Sequence, residues 1–146
     1  LLAGPPGLVH RDLQSQNVMI RDGEPVLIDF QGMRLGSRLY DLGALLYDPY
    51  VRLTPDVRLD LLRDYYDLSP RALSWNAFRE AFQEASVQRL LQALGAYGYL
   101  GLKARHPDFL AHIPRGLDHL EAAAGLAPRL DRLRRLLSRC RRAINR

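Results

Sequence analysis

The sequence has 146 residues, of which 47% are hydrophobic and 25% are charged, with a formal net charge of +5 at pH 7. This balance is typical of one folded domain and excludes a disordered or low-complexity chain. No apolar run reaches the ~20 residues of a membrane-spanning helix, and the single cysteine, Cys140, excludes an internal disulfide and a cysteine-cluster metal site.

The region 1–37 is rich in strand and turn signals. Two short apolar runs, at 18–20 and 26–28, flank a polar segment that contains the pair Asp22-Gly23. An Asp-Gly pair between two apolar runs predicts a β-hairpin. The pattern leaves the loop length open, because a two-residue or a three-residue loop fits between the runs.

The sequence after residue 37 predicts helices separated by short turns. Apolar residues recur at helical spacing in four stretches, namely 40–48, 55–65, 74–101 and 107–144. Thr54 and Ser74 are the predicted N-caps of the second and third helices. The fourth stretch is long enough for two or three helices.

A basic amphipathic helix is predicted over 126–146. Residues 128–146 hold eight arginines and one acidic residue, so the rest of the chain carries a net charge of −2. Such a helix could bind nucleic acid or an anionic membrane surface. Its apolar side has the width of an ordinary packing face and no aromatic residue, so we expect a solvated helix with neither partner.

Three polar residues have the chemistry that phosphoryl transfer requires. A carboxylate must orient the attacking hydroxyl and accept its proton, and oxygen ligands must hold Mg²⁺ on the nucleotide phosphates. Asp12 suits the first task, whereas Asn17 and Asp29 suit the second. A three-residue hairpin loop would place Asn17 opposite Asp29, and a two-residue loop would offset them by one position. The alternative is an ordinary hairpin with polar surface residues.

The order His-x-Asp, four residues, Asn, a hairpin and Asp-Phe resembles the catalytic loop and metal-binding motif of protein kinases and aminoglycoside phosphotransferases. The resemblance implies that Asp12 is the catalytic aspartate, that Asn17 and Asp29 bind Mg²⁺, and that ATP is the donor. It also implies that His10 braces the loop and that Asp41 ties the first helix to it. Alternatively, Asp41 is only a helix N-cap.

This resemblance also implies a fold, which is α+β and mostly helical. We expect a protein-kinase-like C-terminal catalytic lobe with a catalytic-loop β-hairpin and about five to seven helices. Nothing in the sequence resembles a glycine-rich phosphate loop, its strand lysine or the paired glutamate. We therefore expect that residues 1–146 lack the N-terminal ATP-binding lobe of their polypeptide and do not turn over alone. A pseudokinase scaffold is disfavoured, because all three polar residues are present.

The acceptor is predicted to be a small molecule with a hydroxyl group. Only residues 31–39 separate Asp29-Phe30 from the next predicted helix, and no Ala-Pro-Glu motif follows, so a peptide platform has no room. By its position, Gln31 is a candidate contact to the acceptor. The lone cysteine fits a reducing, cytoplasmic location.

Segments 29–31, 40–42 and 87–95 resemble the bacterial anomeric amino-sugar kinases. Those enzymes phosphorylate the 1-hydroxyl of N-acetylmuramate or N-acetylglucosamine during cell-wall recycling, so the resemblance implies an amino-sugar acceptor. The aminoglycoside, choline and homoserine kinases of the same superfamily are the alternatives. In the plainer interpretation, 87–94 is a core helix with Gln88 and Arg89 on its solvent side.

Overall fold

A computed structural model describes residues 6–70 and 72–144. In this part of the chain four short strands precede five helices. The strands are β1 (Gly7–Val9), β2 (Val18–Arg21), β3 (Glu24–Leu27) and β4 (Arg34–Gly36). The helices are α1 (Arg38–Leu46), α2 (Pro55–Leu68), α3 (Trp75–Leu102), α4 (Ile113–Gly125) and α5 (Asp131–Ile144). The predicted α+β, mostly helical class is therefore confirmed.

The predicted hairpin is formed by β2 and β3, and its loop has two residues. Arg21 pairs with Glu24, so the loop consists of Asp22 (φ 52°) and Gly23 (φ 84°). Two positive φ angles match the turn that joins twisted antiparallel strands most tightly, and Asp-Gly is one of the pairs that adopts it readily. The shorter of the two loops left open by the sequence is thus the one observed.

The two strand pairs bring the segments around the hairpin together. β1 pairs with β4 in antiparallel register, with Gly7 opposite Gly36 and Val9 opposite Arg34. The chain that enters the hairpin therefore runs beside the chain that leaves it. The loop after β1 and the segment after β3 consequently lie at the same end of the two ribbons.

Helix α3 is the central element of the core. It packs against α1 on one side and α4 on the other. The buried apolar side chains of the core are Leu39, Leu42, Leu46, Tyr47, Leu62, Phe78, Phe82, Val87, Leu90, Leu120, Ala123, Ala124 and Leu137. At the α1–α3 crossing, a Cβ on Gly43 would lie 2.8 Å from Oγ and 3.0 Å from Cα of Ser86. Glycine thus permits this close approach.

The helix boundaries agree with the sequence at two caps and differ at the first helix. The Thr54 hydroxyl accepts a hydrogen bond from Val57 N at 3.3 Å, and the Ser74 hydroxyl accepts one from Ala77 N at 3.4 Å. Both predicted N-caps are confirmed. The helix expected over 40–48 instead spans Arg38–Leu46.

The prediction of one helix over 126–146 is wrong at its start. A turn of 3-10 helix at Pro128–Leu130 separates α4 from α5, which begins at Asp131. On the apolar side of this segment Leu130, Leu133 and Leu137 pack against the core, whereas Leu126 and Cys140 are exposed. Within the described residues, no helix combines the length and the apolar character needed to cross a membrane.

A partly buried histidine makes the stability of this fold depend on pH. His119 Nδ1 lies 3.0 Å from the Tyr47 carbonyl oxygen. Burial lowers the pKa of His119, and nearby Arg58 and Arg115 lower it further, although the carbonyl contact opposes the shift. The unfolded chain binds a proton at this histidine near pH 6.5, whereas the folded chain binds it only at a lower pH. The free energy of unfolding therefore decreases as the pH falls below about 6.5.

We expect His119→Gln to flatten this acid loss of stability. The measurement is the melting temperature between pH 8 and pH 5.5 for the wild type, for His119→Gln and for a control, His106→Gln, at an exposed position. The control should keep the slope of the wild type. An unchanged slope in His119→Gln would assign the acid loss to other groups.

Candidate active site

The loop between β1 and β2 carries the candidate catalytic residue, and the buried side chain of Asp41 holds its start. Asp41 Oδ2 accepts a hydrogen bond from His10 N at 2.5 Å, and Oδ1 accepts one from Arg11 N at 2.8 Å. Arg11 has a φ of 75°, which is costly for a residue with a side chain. The N-cap residue of α1 is Ser37, and Asp41 lies inside the helix, so the interpretation of Asp41 as a helix N-cap is wrong.

A second buried carboxylate, not singled out by sequence reasoning, holds the far part of the same loop. Asp48 is 2% exposed. Its Oδ2 accepts a hydrogen bond from Ser15 N at 2.5 Å, and its Oδ1 accepts one from Tyr50 N at 2.7 Å. Asp48 follows Asp41 by seven positions, about two helical turns, and this spacing is the signal that could have indicated a shared partner.

His10 joins the catalytic loop to the end of the hairpin. It is buried, and its Nε2 lies 2.8 Å from the carbonyl oxygen of Ile28. Its Nδ1 has no hydrogen-bond partner among the described residues. Because Ile28 directly precedes Asp29, this contact links the loop of Asp12 to the segment that carries the second candidate carboxylate. The geometry agrees with a bracing residue, and that role stays a proposal.

The carboxylate of Asp12 has polar partners on both oxygens. Oδ1 lies 2.9 Å from Arg89 Nη2, and Oδ2 accepts longer contacts from Asn17 Nδ2 at 3.3 Å and from Gln14 Nε2 at 3.4 Å. Asn17 Nδ2 also donates to the backbone oxygen of Asp12 at 2.8 Å. The side chain of Asp12 remains 46% exposed, so it is accessible to a ligand.

The hairpin brings the two candidate metal ligands to one end. Ile28 N donates to Asn17 O at 3.0 Å, so Asn17 lies opposite Ile28 and is offset from Asp29 by one position. Asp29 is exposed and has a left-handed backbone conformation, with φ 58° and ψ 39°. Its Oδ1 accepts a hydrogen bond from Gln31 Nε2, which places the predicted acceptor contact beside it.

The donor set at this end fits a magnesium ion. The hydrogen bonds of the described residues use neither Oδ1 of Asn17 nor Oδ2 of Asp29. A carboxamide oxygen and a carboxylate oxygen are hard ligands, and Mg²⁺ commonly takes one or two protein oxygens together with phosphates and water. Asn17 and Asp29 could therefore hold it.

A cleft of about 460 Å³ opens beside the catalytic loop. Its walls come from the catalytic loop, the segment after β3, the loop after α1, one face of α3, and the turn before α4. The lining residues are His10, Arg11, Asp12, Gln14, Asp29, Gln31, Gly32, Tyr50, Arg89, Gln92, Ala93, Ala96, Tyr97 and Phe109. Of the predicted site residues, His10, Asp12, Asp29 and Gln31 line the cleft, whereas Asn17 and Asp41 are not among its lining residues.

The resemblance to amino-sugar kinases singled out 87–95, but sequence reasoning assigned no site role to the residues of the α3 wall. Arg89, Gln92, Ala93, Ala96 and Tyr97 recur at steps of three and four, which places them on one face of the helix. The interpretation of Arg89 as a solvent-side residue is wrong, because its side chain is only 13% exposed and contacts Asp12. Burial raises the pKa of the Tyr97 phenol, which also lines the cleft.

Residues 1–75 match the phosphotransferase enzyme family (APH). The chain belongs to this family. The matched part contains the catalytic loop, the hairpin and α1, and therefore Asp12, Asn17, Asp29 and Asp41. The wall of the cleft that α3 provides lies beyond the matched residues.

Three relatives of this phosphotransferase family member are named N-acetylmuramate/N-acetylglucosamine kinase. The protein of Neisseria meningitidis is 32% identical over 88% of this chain and 41% of its own length. Those of Pseudomonas putida and Pseudomonas aeruginosa are 32% and 30% identical over 94% of this chain and 42% of theirs. The chain therefore spans about two fifths of the length of these curated relatives.

Proposed function

We propose that this chain is the catalytic lobe of a kinase that transfers the terminal phosphoryl group of ATP to a hydroxyl of an amino sugar. The observation that carries the proposal is the opening of the Asp12 carboxylate into the cleft that Asp29 also lines. Membership of the phosphotransferase family and the names of the three relatives support it.

The residues of the cleft have distinct tasks in the proposed reaction. Asp12 orients the acceptor hydroxyl and takes its proton as the acceptor oxygen bonds to phosphorus and the bond to ADP breaks. The products are a sugar phosphate and ADP. Asn17 holds Asp12 through two contacts of its amide nitrogen. Asn17 and Asp29 would hold Mg²⁺, which offsets the negative charge of the ATP phosphates when bound.

The polar groups of the cleft suit an acceptor with hydroxyl and acetamido groups. The amide nitrogen of Gln31 donates a hydrogen bond to Asp29, so the amide oxygen of Gln31 remains able to accept one from a ligand. Gln92 accepts from the Tyr40 hydroxyl through its amide oxygen, which leaves its amide nitrogen for a ligand acceptor. The rings of Tyr97 and Phe109, with centroids 6.3 Å apart, offer an apolar surface to a sugar ring. The volume is also within the range of small-molecule sites.

The charges of the cleft disfavour a cationic acceptor. Asp12 is already paired with Arg89, Asp29 is the proposed ligand of Mg²⁺, and Arg11 adds a further positive charge. A polycationic aminoglycoside or the quaternary ammonium of choline would meet two guanidinium groups, and the two carboxylates among the described lining residues are the partner of Arg89 and the proposed ligand of Mg²⁺. The charge pattern therefore favours an uncharged or anionic sugar over these two alternatives.

We also propose that the ATP-binding lobe lies elsewhere in the natural polypeptide and covers the exposed strands. Leu8, Ile20 and Leu35 are 62%, 68% and 77% exposed, and Phe30 at the site is 58% exposed. Large apolar side chains grouped on one region of a surface commonly mark a contact with another domain or ligand. The greater length of the relatives leaves room for such a lobe.

An acceptor panel tests the proposed function. The natural polypeptide that contains this chain is incubated with ATP, Mg²⁺ and N-acetylglucosamine, N-acetylmuramate, choline, homoserine or an aminoglycoside, with Asp12→Ala in parallel. We expect the two amino sugars to exceed the others by at least about 100-fold in kcat/KM, as is usual when charge complementarity decides. Phosphorus NMR of the product should show an anomeric phosphate. Preference for an aminoglycoside would contradict the proposal.

Replacing Asp29 by asparagine should weaken the response to magnesium. The change removes one negative ligand of the proposed site, so the Mg²⁺ concentration for half-maximal rate should rise by about 10–100-fold, a range known for changes near metal ligands. The measurement is initial rate against Mg²⁺ concentration. Asp22→Asn, at an exposed turn of the same hairpin, is the matched control, and an equal response in both variants would place the metal elsewhere.

A further inference from the structure

The contact between Arg89 and Asp12 links the long helix α3 to the catalytic loop. Arg89 Nη2 lies 2.9 Å from Asp12 Oδ1, across 77 positions of sequence. It is the shortest side-chain contact of that carboxylate, since Asn17 and Gln14 approach Oδ2 at 3.3 Å and 3.4 Å. A charge-assisted hydrogen bond is also stronger than a neutral one. Arg89 is thus the strongest restraint on the orientation of the Asp12 side chain.

We propose that Arg89 is a positioning residue for phosphoryl transfer, which fixes the Asp12 carboxylate relative to the wall of the cleft that receives the acceptor. This inference rests on the proposed function. Gln92, Ala93 and Tyr97 of that wall stand on the same helix as Arg89. One helix therefore positions the sugar that accepts the phosphoryl group and also orients Asp12, which accepts the proton of that sugar. Such alignment strongly affects the rate of the chemical step.

Arg89 is itself held in a well-defined place. Its neighbours Val87 and Leu90 are buried in the core, at 4% and 6% exposure. The close approach of Gly43 to Ser86, one turn before Arg89, fixes α3 against the helix that carries Asp41. The guanidinium therefore originates from a part of α3 that is anchored in the core.

The environment of Arg89 is that of a functional residue more than of a stabilising one. Its Nε is buried and has no hydrogen-bond partner among the described residues. An unpaired buried N–H opposes folding. An arginine that only stabilised the fold would be expected to pair its Nε–H. At position 89 this N–H stays unpaired while Nη2 contacts Asp12, which is the arrangement expected of a residue that orients the carboxylate.

Kinetics of Arg89 variants in the natural polypeptide test the inference. We expect Arg89→Gln to lower kcat by about 100-fold, the order of loss that misalignment near 1 Å produces, with little change in KM for the acceptor. Arg89→Lys should recover part of the loss. Added guanidinium ion should raise the rate of Arg89→Ala and leave Asp12→Ala inactive. Arg132→Gln, at an exposed position of α5, should behave as the wild type.

A double-mutant cycle separates the contact from the activity. Melting temperatures of Arg89→Gln, Asp12→Ala and the double variant should show that the second change costs less once the first is present, because each single change removes the contact. Additive shifts, or a kcat of Arg89→Gln equal to that of the wild type, would overturn the inference. A wild type inactive on every acceptor would overturn the proposed function and the role of Arg89 in it, whereas coupling in the cycle would still establish the contact.

Discussion

Replacing Asp12 by asparagine is expected to lower kcat by about 10²–10⁴-fold, the range over which a positioned proton acceptor contributes. The carboxylate is 46% exposed towards the cleft, so it can reach an acceptor hydroxyl. Asparagine has nearly the same shape and can keep a contact with Arg89, but its amide cannot take the proton. Binding of the acceptor should change little, so the loss should appear in kcat and leave KM nearly constant.

The control for Asp12→Asn is Asp22→Asn in the natural polypeptide that contains this chain. Asp22 is exposed in the hairpin turn with a φ of 52°, and asparagine adopts that conformation readily. Its rate should equal that of the wild type. Melting temperatures of both variants should remain close to the wild type. A kcat of Asp12→Asn within a few-fold of the wild type would refute the assigned role of this carboxylate.

Replacing Asp41 by alanine is expected to reduce the free energy of unfolding by about 2–5 kcal/mol. The change leaves the buried N–H of His10 and the partly buried N–H of Arg11 without their charged acceptor. Such a loss costs about 1–3 kcal/mol for a buried group and less for a partly buried one. Asp41→Asn keeps one carbonyl oxygen and should lose about half as much. Urea denaturation measures the change, and activity should fall in parallel because the loop no longer holds Asp12.

An exposed aspartate separates this effect from a general loss of charge. Asp64 lies on the exposed side of α2, and Asp64→Ala should change the free energy of unfolding by less than about 0.5 kcal/mol. If Asp41→Ala proved as stable as Asp64→Ala, the two hydrogen bonds would not hold the catalytic loop in solution.

The hairpin was predictable because its signals are local. The pair Asp22-Gly23 between apolar runs indicates both the strands and the turn. A hairpin folded there brings Asn17 and Asp29 to the same end, opposite the turn. The loop length was not predictable, since the two alternatives satisfy the same apolar pattern. Only the observed pairing of Arg21 with Glu24 decides that Asn17 faces Ile28.

The acceptor side of the site could not be predicted, because it depends on contacts between distant segments. Helical spacing indicates that Arg89 and Gln92 share a face, but it does not say what that face contacts. Val87 and Leu90 are buried as a core helix requires, so the plain interpretation of this stretch was half correct. Arg89 reaches Asp12 only because α3 crosses α1 closely at Gly43.

That crossing sets the position of α3 although neither Gly43 nor Ser86 lines the cleft. A methyl group at position 43 would meet Ser86 at 2.8 Å, and the two helices would have to separate by a fraction of an ångström. Because α3 is one continuous helix from Trp75 to Leu102, such a shift would also move Arg89 relative to the loop of Asp12. Alanine at position 43 should therefore weaken the contact between Arg89 and Asp12 without changing any residue that lines the cleft.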